Sequence, residues 1–300
     1  MVEQFTGILA AVVTPFTHDG SAIDEAGIKR QADHIVGNGI HGLVPGGSTG
    51  EFTTLTSAER KRSAEVYLEA AAGRVPVVVG TGALSTAETV ELSRHASDAG
   101  AAAVMVVPPF YNAPSFAELL AHFGAVSDAI DVPIMYYNIP SATGVNLTPD
   151  QFAELARKTR VTCFKDTGGD AVAFTAIQQR HADTITALNG WDTLTFSGLA
   201  SGAKAGVWGA ASVIPRLCAD LYEAVAVRGD LTAGRELWTR IHPICEFLEA
   251  HNYACGIKTG LELIGQGAGP ARRPVLPLAQ EHRDELARLL QAAGVAVVGN

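Results

Sequence analysis

The chain has 300 residues, 47% of them hydrophobic, and a formal net charge of -9 at pH 7. That is enough apolar material to bury a large core, and α/β barrels of this length often form one domain. The charge is spread along the chain with no Lys/Arg-rich run, which argues against nucleic acid or an anionic membrane surface as a partner.

The elements follow in chain order. Residues 1–16 contain an apolar stretch with no basic segment ahead of it, and Pro15 cuts it short. It is predicted to be a first buried strand, not a signal peptide. Strands are predicted at 8–14, 42–45, 76–81, 103–107, 133–137, 161–165, 186–189 and 205–209. Most are continuous apolar runs without polar alternation, the pattern of parallel strands covered on both faces. Helices are predicted between them. Ser57 opens one, Ser85 to Glu88 has the form of a capping box, and Pro149 suits a first helical position. Gly73 and Gly100 fall where helices should stop. After residue 215 the pattern is only helical, with one helix to complete the eighth unit and roughly three more to pack on the barrel.

Eight β-then-α units define a parallel α/β fold. The count of eight and the lack of a G-x-G-x-x-G fingerprint favour a closed (β/α)8 TIM barrel over an open doubly wound sheet. The expected organisation is a barrel over 1–228 and a C-terminal helical extension over 229–300, in one folding unit. Cys163, Cys218, Cys245 and Cys255 have neither C-x-x-C nor metal-ligand spacing and read as reduced thiols. No apolar run approaches the length of a transmembrane helix, so the expectation is a soluble cytoplasmic protein.

Of the six lysines, Lys165 alone ends an apolar strand, VTCFK, immediately before the loop DTGGD. Alternation puts Val161, Cys163 and Lys165 on one face. If that face is the interior, Lys165 stands at the C-terminal mouth, where barrel active sites are built. A free lysine amine is protonated at neutral pH, and a desolvated site can turn it into a nucleophile. The alternative is a structural ion pair with Asp166 or another carboxylate.

Other strand ends carry suitable partners. After the second strand comes GGSTGE (46–51), whose glycines let backbone N–H groups converge on an anion while Ser48 and Thr49 add hydroxyl donors. It lacks the lysine of a P-loop, and such a turn is often only a turn. Tyr137 shares a face with Met135 and is expected in the mouth beside Lys165 as a proton carrier; alone it would read as a core tyrosine. Tyr111 adds a hydroxyl in the stiff PPFYN loop (108–112), or else packs at a subunit interface. No H-E-x-x-H or similar metal cluster is present.

With TPF (14–16), GGSTGE, PPFYN, YNIPSATG (137–144) and FKDTGGD (164–170) in this order, the chain resembles the dihydrodipicolinate synthase / N-acetylneuraminate lyase family of class I aldolases. The resemblance implies that Lys165 forms a Schiff base with a pyruvate-type 2-oxo acid, without a separate cofactor or metal. Tyr137 would shuttle protons in a hydroxyl relay with Ser48 and Tyr111, the last reaching across a dimer interface. Ser48 and Thr49, with Gly47, Thr167, Gly190 and Asp192, would hold substrate. It further implies an aldehyde as second substrate and a homotetramer built from tight dimers. Two positions depart from the family's patterns. Dihydrodipicolinate synthases carry an arginine where this chain has Ala142, removing a charge-assisted clamp for a carboxylate. Sialic acid lyases carry an Asp-Glu pair where this chain has Asp192 and Thr193. The expected function is a lyase or dehydratase of 2-oxo-3-deoxy or hydroxy acids. The alternatives are 4-hydroxy-tetrahydrodipicolinate (dihydrodipicolinate) synthase and a non-catalytic 2-oxo-acid-binding protein.

Overall fold

Apolar runs too short for helices, punctuated by glycine and capped helix starts, fold as alternating strands and helices. The computed structural model describes residues 5–298. Among these the order is β1 (Gly7–Ala11), α1 (Glu25–Gly37), β2 (Gly42–Val44), α2 (Ser57–Ala71), β3 (Val78–Gly80), α3 (Thr86–Asp98), β4 (Ala103–Val106) and α4 (Phe116–Ala129). There follow β5 (Ile134–Asn138), the single turn α5 (Pro140–Thr143), α6 (Pro149–Lys158), β6 (Val161–Asp166), α7 (Ala171–Arg180) and β7 (Thr186–Asn189). The last unit is α8 (Thr195–Ala200), β8 (Ala205–Trp208) and α9 (Pro215–Tyr222), after which α10 (Leu231–Ala250), α11 (Tyr253–Leu263) and α12 (Gln280–Ala292) form the helical C-terminal region.

All strand pairs are parallel, in the order β2-β1-β8-β7-β6-β5-β4-β3. The parallel bridge between Leu43 and Val77, with the Gly80 N–H donating to the Pro45 carbonyl at 2.8 Å, brings β2 against β3 and joins the two ends of the ribbon. The fold is a TIM barrel. One buried cluster fills its interior, including Leu9, Val78, Met105, Met135, Cys163 and Val207. A second, larger cluster lies between the strands and the surrounding helices, including Ile8, Val104, Tyr136, Phe164 and Trp208. Alternation thus divides the strands between two cores, and that is why most of them are apolar runs without polar alternation.

The register explains one departure from expectation. Val161 packs in the outer cluster while Cys163 packs in the inner one, so the two do not share a face. Ile134 pairs with Val161 and the next residue, Met135, pairs with Cys163, which leaves Thr162 as an extra residue in β6. This bulge switches the alternation by one position, and only downstream of it do Cys163 and Lys165 point inward.

Helix starts follow local chemistry. α2 begins at Ser57 as expected, and its N-cap is Thr56, because Thr56 and Glu59 complete a reciprocal capping box. Ser85 caps α3 by accepting from the Glu88 N–H, but the Glu88 carboxylate accepts from the Ser57 hydroxyl at 3.1 Å, so that box is half formed. Thr148 and Gln151 close a full box ahead of Pro149. Each such cap contributes about 1 kcal/mol. Gly73 and Gly100 take φ of 72° and 95° just past α2 and α3, a conformation that glycine enters without strain.

Candidate active site

Lys165, the fifth residue of β6, is only 6% exposed. Its Nζ lies 4.3 Å from the ring centroid of Tyr137, the residue paired with it across β5–β6. Lys165 forms no ion pair with a carboxylate among the described residues. Asp166, the obvious alternative partner, is engaged elsewhere: it accepts from Asn138 Nδ2 at 2.6 Å and from the Gly168 N–H at 3.1 Å. Burial raises the Asp166 carboxyl pKa above its ordinary value, although these two hydrogen bonds pull it down. The lysine's stem needs Gly190 at the end of β7. A Cβ there would lie 2.5 Å from Lys165 Cγ and 2.8 Å from its Cε.

Lys165 opens into a cavity of about 350 Å³ at the C-terminal ends of the strands. Ser48, Thr49, Tyr137, Thr167, Gly190 and Asp192 line the same cavity. The structure therefore brings together Lys165 and six other predicted site residues. Hollows of about 600 Å³ at the opposite end of the barrel, one around Gly73 and Pro76 and one around Asp128 and Arg157, contain none of them.

Backbone geometry shapes the Ser48–Thr49 wall. Gly46 has φ of 75° and backs onto Gly80 so closely that a Cβ on Gly80 would lie 2.3 Å from the Gly46 carbonyl oxygen. The N–H groups of Gly50 and Glu51 turn back onto Gly47 and Ser48, both at 3.0 Å, and the Thr14 hydroxyl donates to the Gly50 carbonyl at 2.7 Å. The N–H groups of Ser48 and Thr49 have no protein acceptor among the described residues. Two amides beside two hydroxyls are thus without a protein acceptor at the cavity wall.

Two predicted residues lie elsewhere. Gly47 is buried within the loop and does not line the cavity, and its missing side chain leaves room for Met105 Cε. Tyr111 is 85% exposed, and in the single chain its hydroxyl has no place in the cavity.

The remaining wall includes Ile139, Ser141, Trp191, Gly209, Glu249 and Tyr253. Ser141, in the α5 turn, lines it where the neighbouring Ala142 does not. Trp191, Glu249 and Tyr253 complete it, the last two from the C-terminal helices. Glu249 accepts from Trp191 Nε1 at 3.1 Å, from the Thr193 N–H at 2.9 Å and from the Thr193 hydroxyl at 2.8 Å. Tyr253 donates its hydroxyl to Asp192 Oδ2, which also accepts from the Ala210 N–H at 3.2 Å. Burial pushes the Asp192 carboxyl up to about 6. Burial and the Asp192 charge together push the Tyr253 phenol well above the ordinary value.

A second unanticipated cluster ties the C-terminal helices to the mouth. Glu51 sits in the left-handed region at φ 56°, and its Oε1 pairs with Lys258 Nζ at 2.7 Å, the two side chains being 3% and 4% exposed. Lys258 also donates to the Pro270 carbonyl at 2.8 Å, and the Arg272 N–H donates to Glu51 Oε2 at 2.8 Å. Burial lowers the Lys258 pKa more than Glu51 restores it. The sequence did carry one signal: Lys258 lies in a helix whose neighbours are almost all apolar or small. Among the described residues no group of three or more His, Cys, Asp or Glu side chains is placed to hold a metal.

A buried strand-end lysine in the mouth of a (β/α)8 barrel, beside a tyrosine and an amide-lined loop, defines a class I aldolase-type enzyme of the carbon–carbon lyase and synthase group. The chain matches the family described as Dihydrodipicolinate synthetase over residues 4–293 and belongs to it. Family members work through a covalent imine between a lysine and pyruvate, with no external cofactor. The 4-hydroxy-tetrahydrodipicolinate synthase of Methanothrix thermoacetophila is 37% identical over 288 residues, covering 96% of each chain. Dihydrodipicolinate synthase from Aquifex aeolicus superposes with a TM-score of 0.93 at 31% identity, over 98% of this chain and 100% of that one. A prophage protein of the dihydrodipicolinic acid synthase family from E. coli K12, solved in complex with pyruvate, superposes with a TM-score of 0.92 at 30% identity, over 97% and 99%.

Proposed function

We propose that Lys165 is the imine-forming lysine and that the enzyme joins pyruvate to an aldehyde, or cleaves or dehydrates the corresponding 2-oxo acid. The observation that carries this reading is the buried Lys165, free of any ion pair among the described residues and open to the cavity that Ser48 and Thr49 line. The carboxylate of the 2-oxo acid binds the free N–H groups and hydroxyls of Ser48 and Thr49, which directs its C2 carbonyl at the lysine. The amine adds to C2, and the carbinolamine loses water to leave an iminium, with Tyr137 as proton carrier. Loss of a C3 proton gives the enamine, and its C3 forms the new bond to the aldehyde carbon, whose oxygen takes up a proton. Water then hydrolyses the iminium, releasing product and the free lysine. The iminium serves as the electron sink throughout.

Tyr111 joins this relay in a neighbouring subunit of a homo-oligomer, in keeping with its 85% exposure in the single chain. No helix of the described residues is long and apolar enough to cross a membrane, and we assign the enzyme to the cytoplasm. A second reading, 4-hydroxy-tetrahydrodipicolinate synthase acting on pyruvate and aspartate semialdehyde, is favoured by the names of the relatives at 34–38% identity. Ala142 weighs against it, because it offers no guanidinium for the semialdehyde carboxylate.

Borohydride reduction with pyruvate, followed by peptide mass spectrometry, tests the lysine. An adduct confined to Lys165 and absent from Lys165→Ala is expected. If folded protein gives no adduct with pyruvate or longer 2-oxo acids, the imine chemistry is refuted. A coupled assay with pyruvate and aspartate semialdehyde then separates the two readings.

A further inference from the structure

The half of the cavity away from Ser48 and Thr49 has a chemistry of its own. Its polar side chains include Ser141, Asp192, Glu249 and Tyr253, and among the described residues the only cation lining the cavity is Lys165 itself. Glu249 is held from outside: Trp191 Nε1 and both donors of Thr193 fix its carboxylate, using three of about four lone-pair directions. Glu249 is exposed at the mouth, and its remaining direction has no protein donor among the described residues. Asp192 is similar. Its Oδ2 is occupied by Tyr253 and the Ala210 N–H, and no protein donor among the described residues reaches Oδ1.

We propose that this wall is the acceptor subsite, that it selects an uncharged aldehyde bearing hydroxyl groups, and that Glu249 determines that selectivity. The assignment rests on the imine chemistry proposed above. Hydroxyls supply the donors that Glu249 and Asp192 lack. An aldehyde bearing a carboxylate meets like charge and finds no arginine, since residue 142 is alanine. An unsubstituted aldehyde offers no donor to the buried Asp192 Oδ1. Glu249 supplies the carboxylate that Thr193 does not. It comes from α10, more than fifty residues away in sequence, and the Thr193 hydroxyl holds it in place.

The test compares kcat/KM for addition of pyruvate to glyceraldehyde, propionaldehyde and succinic semialdehyde, in the wild type, Glu249→Gln and Glu249→Arg. Glyceraldehyde is expected to exceed each of the others by roughly tenfold or more in the wild type. Glu249→Gln should lower that preference over the semialdehyde roughly tenfold, and Glu249→Arg should reverse it. Thermal melts confirm that the variants are folded, and Glu249→Gln, nearly isosteric, provides a readout if the arginine variant is not. A wild type that uses succinic semialdehyde as well as glyceraldehyde overturns the proposal, as does a ratio that Glu249→Gln moves by less than about twofold. Borohydride trapping of pyruvate on the wild type separates the two levels. Without an adduct, the imine reading and this one both fall; with an adduct and unchanged ratios, this one falls alone.

Discussion

Replacing Lys258 by methionine removes the cation but keeps the volume of its stem, and leaves the Glu51 carboxylate 3% exposed with its Oε1 unpaired. The Arg272 N–H at 2.8 Å still satisfies Oε2, so the cost falls at the lower end of the range for breaking a buried pair, about 3 kcal/mol. At ~2–4 °C per kcal/mol for a chain of this size, melting should fall by about 6–12 °C. The double variant Glu51→Gln/Lys258→Met removes both charges and should recover most of that loss. Burial already depresses the Lys258 pKa in spite of Glu51 at 2.7 Å, so the ion pair itself adds little stability. Urea unfolding of the two variants and the wild type gives the comparison. A single variant within about 1 kcal/mol of wild type, or a double variant no more stable than the single, would refute the account of a carboxylate stranded by loss of its cation.

Gly190→Ala should keep the fold but slow borohydride trapping about a hundredfold, because the new Cβ, 2.5 Å from Lys165 Cγ, displaces the amine; an unchanged trapping rate would show that the lysine stem has room to move. Asp192 holds its proton up to about 6 in the folded protein, whereas the unfolded chain releases it near 3.8. In the interval between, raising the pH therefore favours unfolding, and Asp192→Asn should remove roughly 2 kcal/mol of stability loss between pH 4 and 7, measured as the difference in urea stability at the two ends. Ser48→Ala should raise KM for pyruvate roughly tenfold, with a smaller effect on kcat if the hydroxyl chiefly binds the carboxylate; the opposite split would assign it to proton transfer.

The barrel was legible because its parallel strands are buried on both faces, leaving eight apolar runs that stand out from the amphipathic helices. Lys165 was legible for the same reason, as a charge at the end of such a run. The outward turn of Val161 was not, because a bulge depends on the register with Ile134 and Met135 and leaves no trace in β6 alone. Glu249, Tyr253 and Lys258 escaped notice for a further reason. Their partners Thr193, Asp192 and Glu51 lie about 60 to 200 residues earlier, and periodicity carries no information over that range.

The reach of the C-terminal helices into the mouth has a consequence for synthesis. By the end of β8 at Trp208 a nascent chain has every strand of the barrel, with Lys165 and the Ser48–Thr49 turn already made. It has neither Glu249 nor Tyr253 for the cavity wall, nor Lys258 and Arg272 to neutralise and hold Glu51. The barrel's catalytic mouth is thus finished last: all the strands and Lys165 are made before the helices that close the cavity wall and neutralise Glu51.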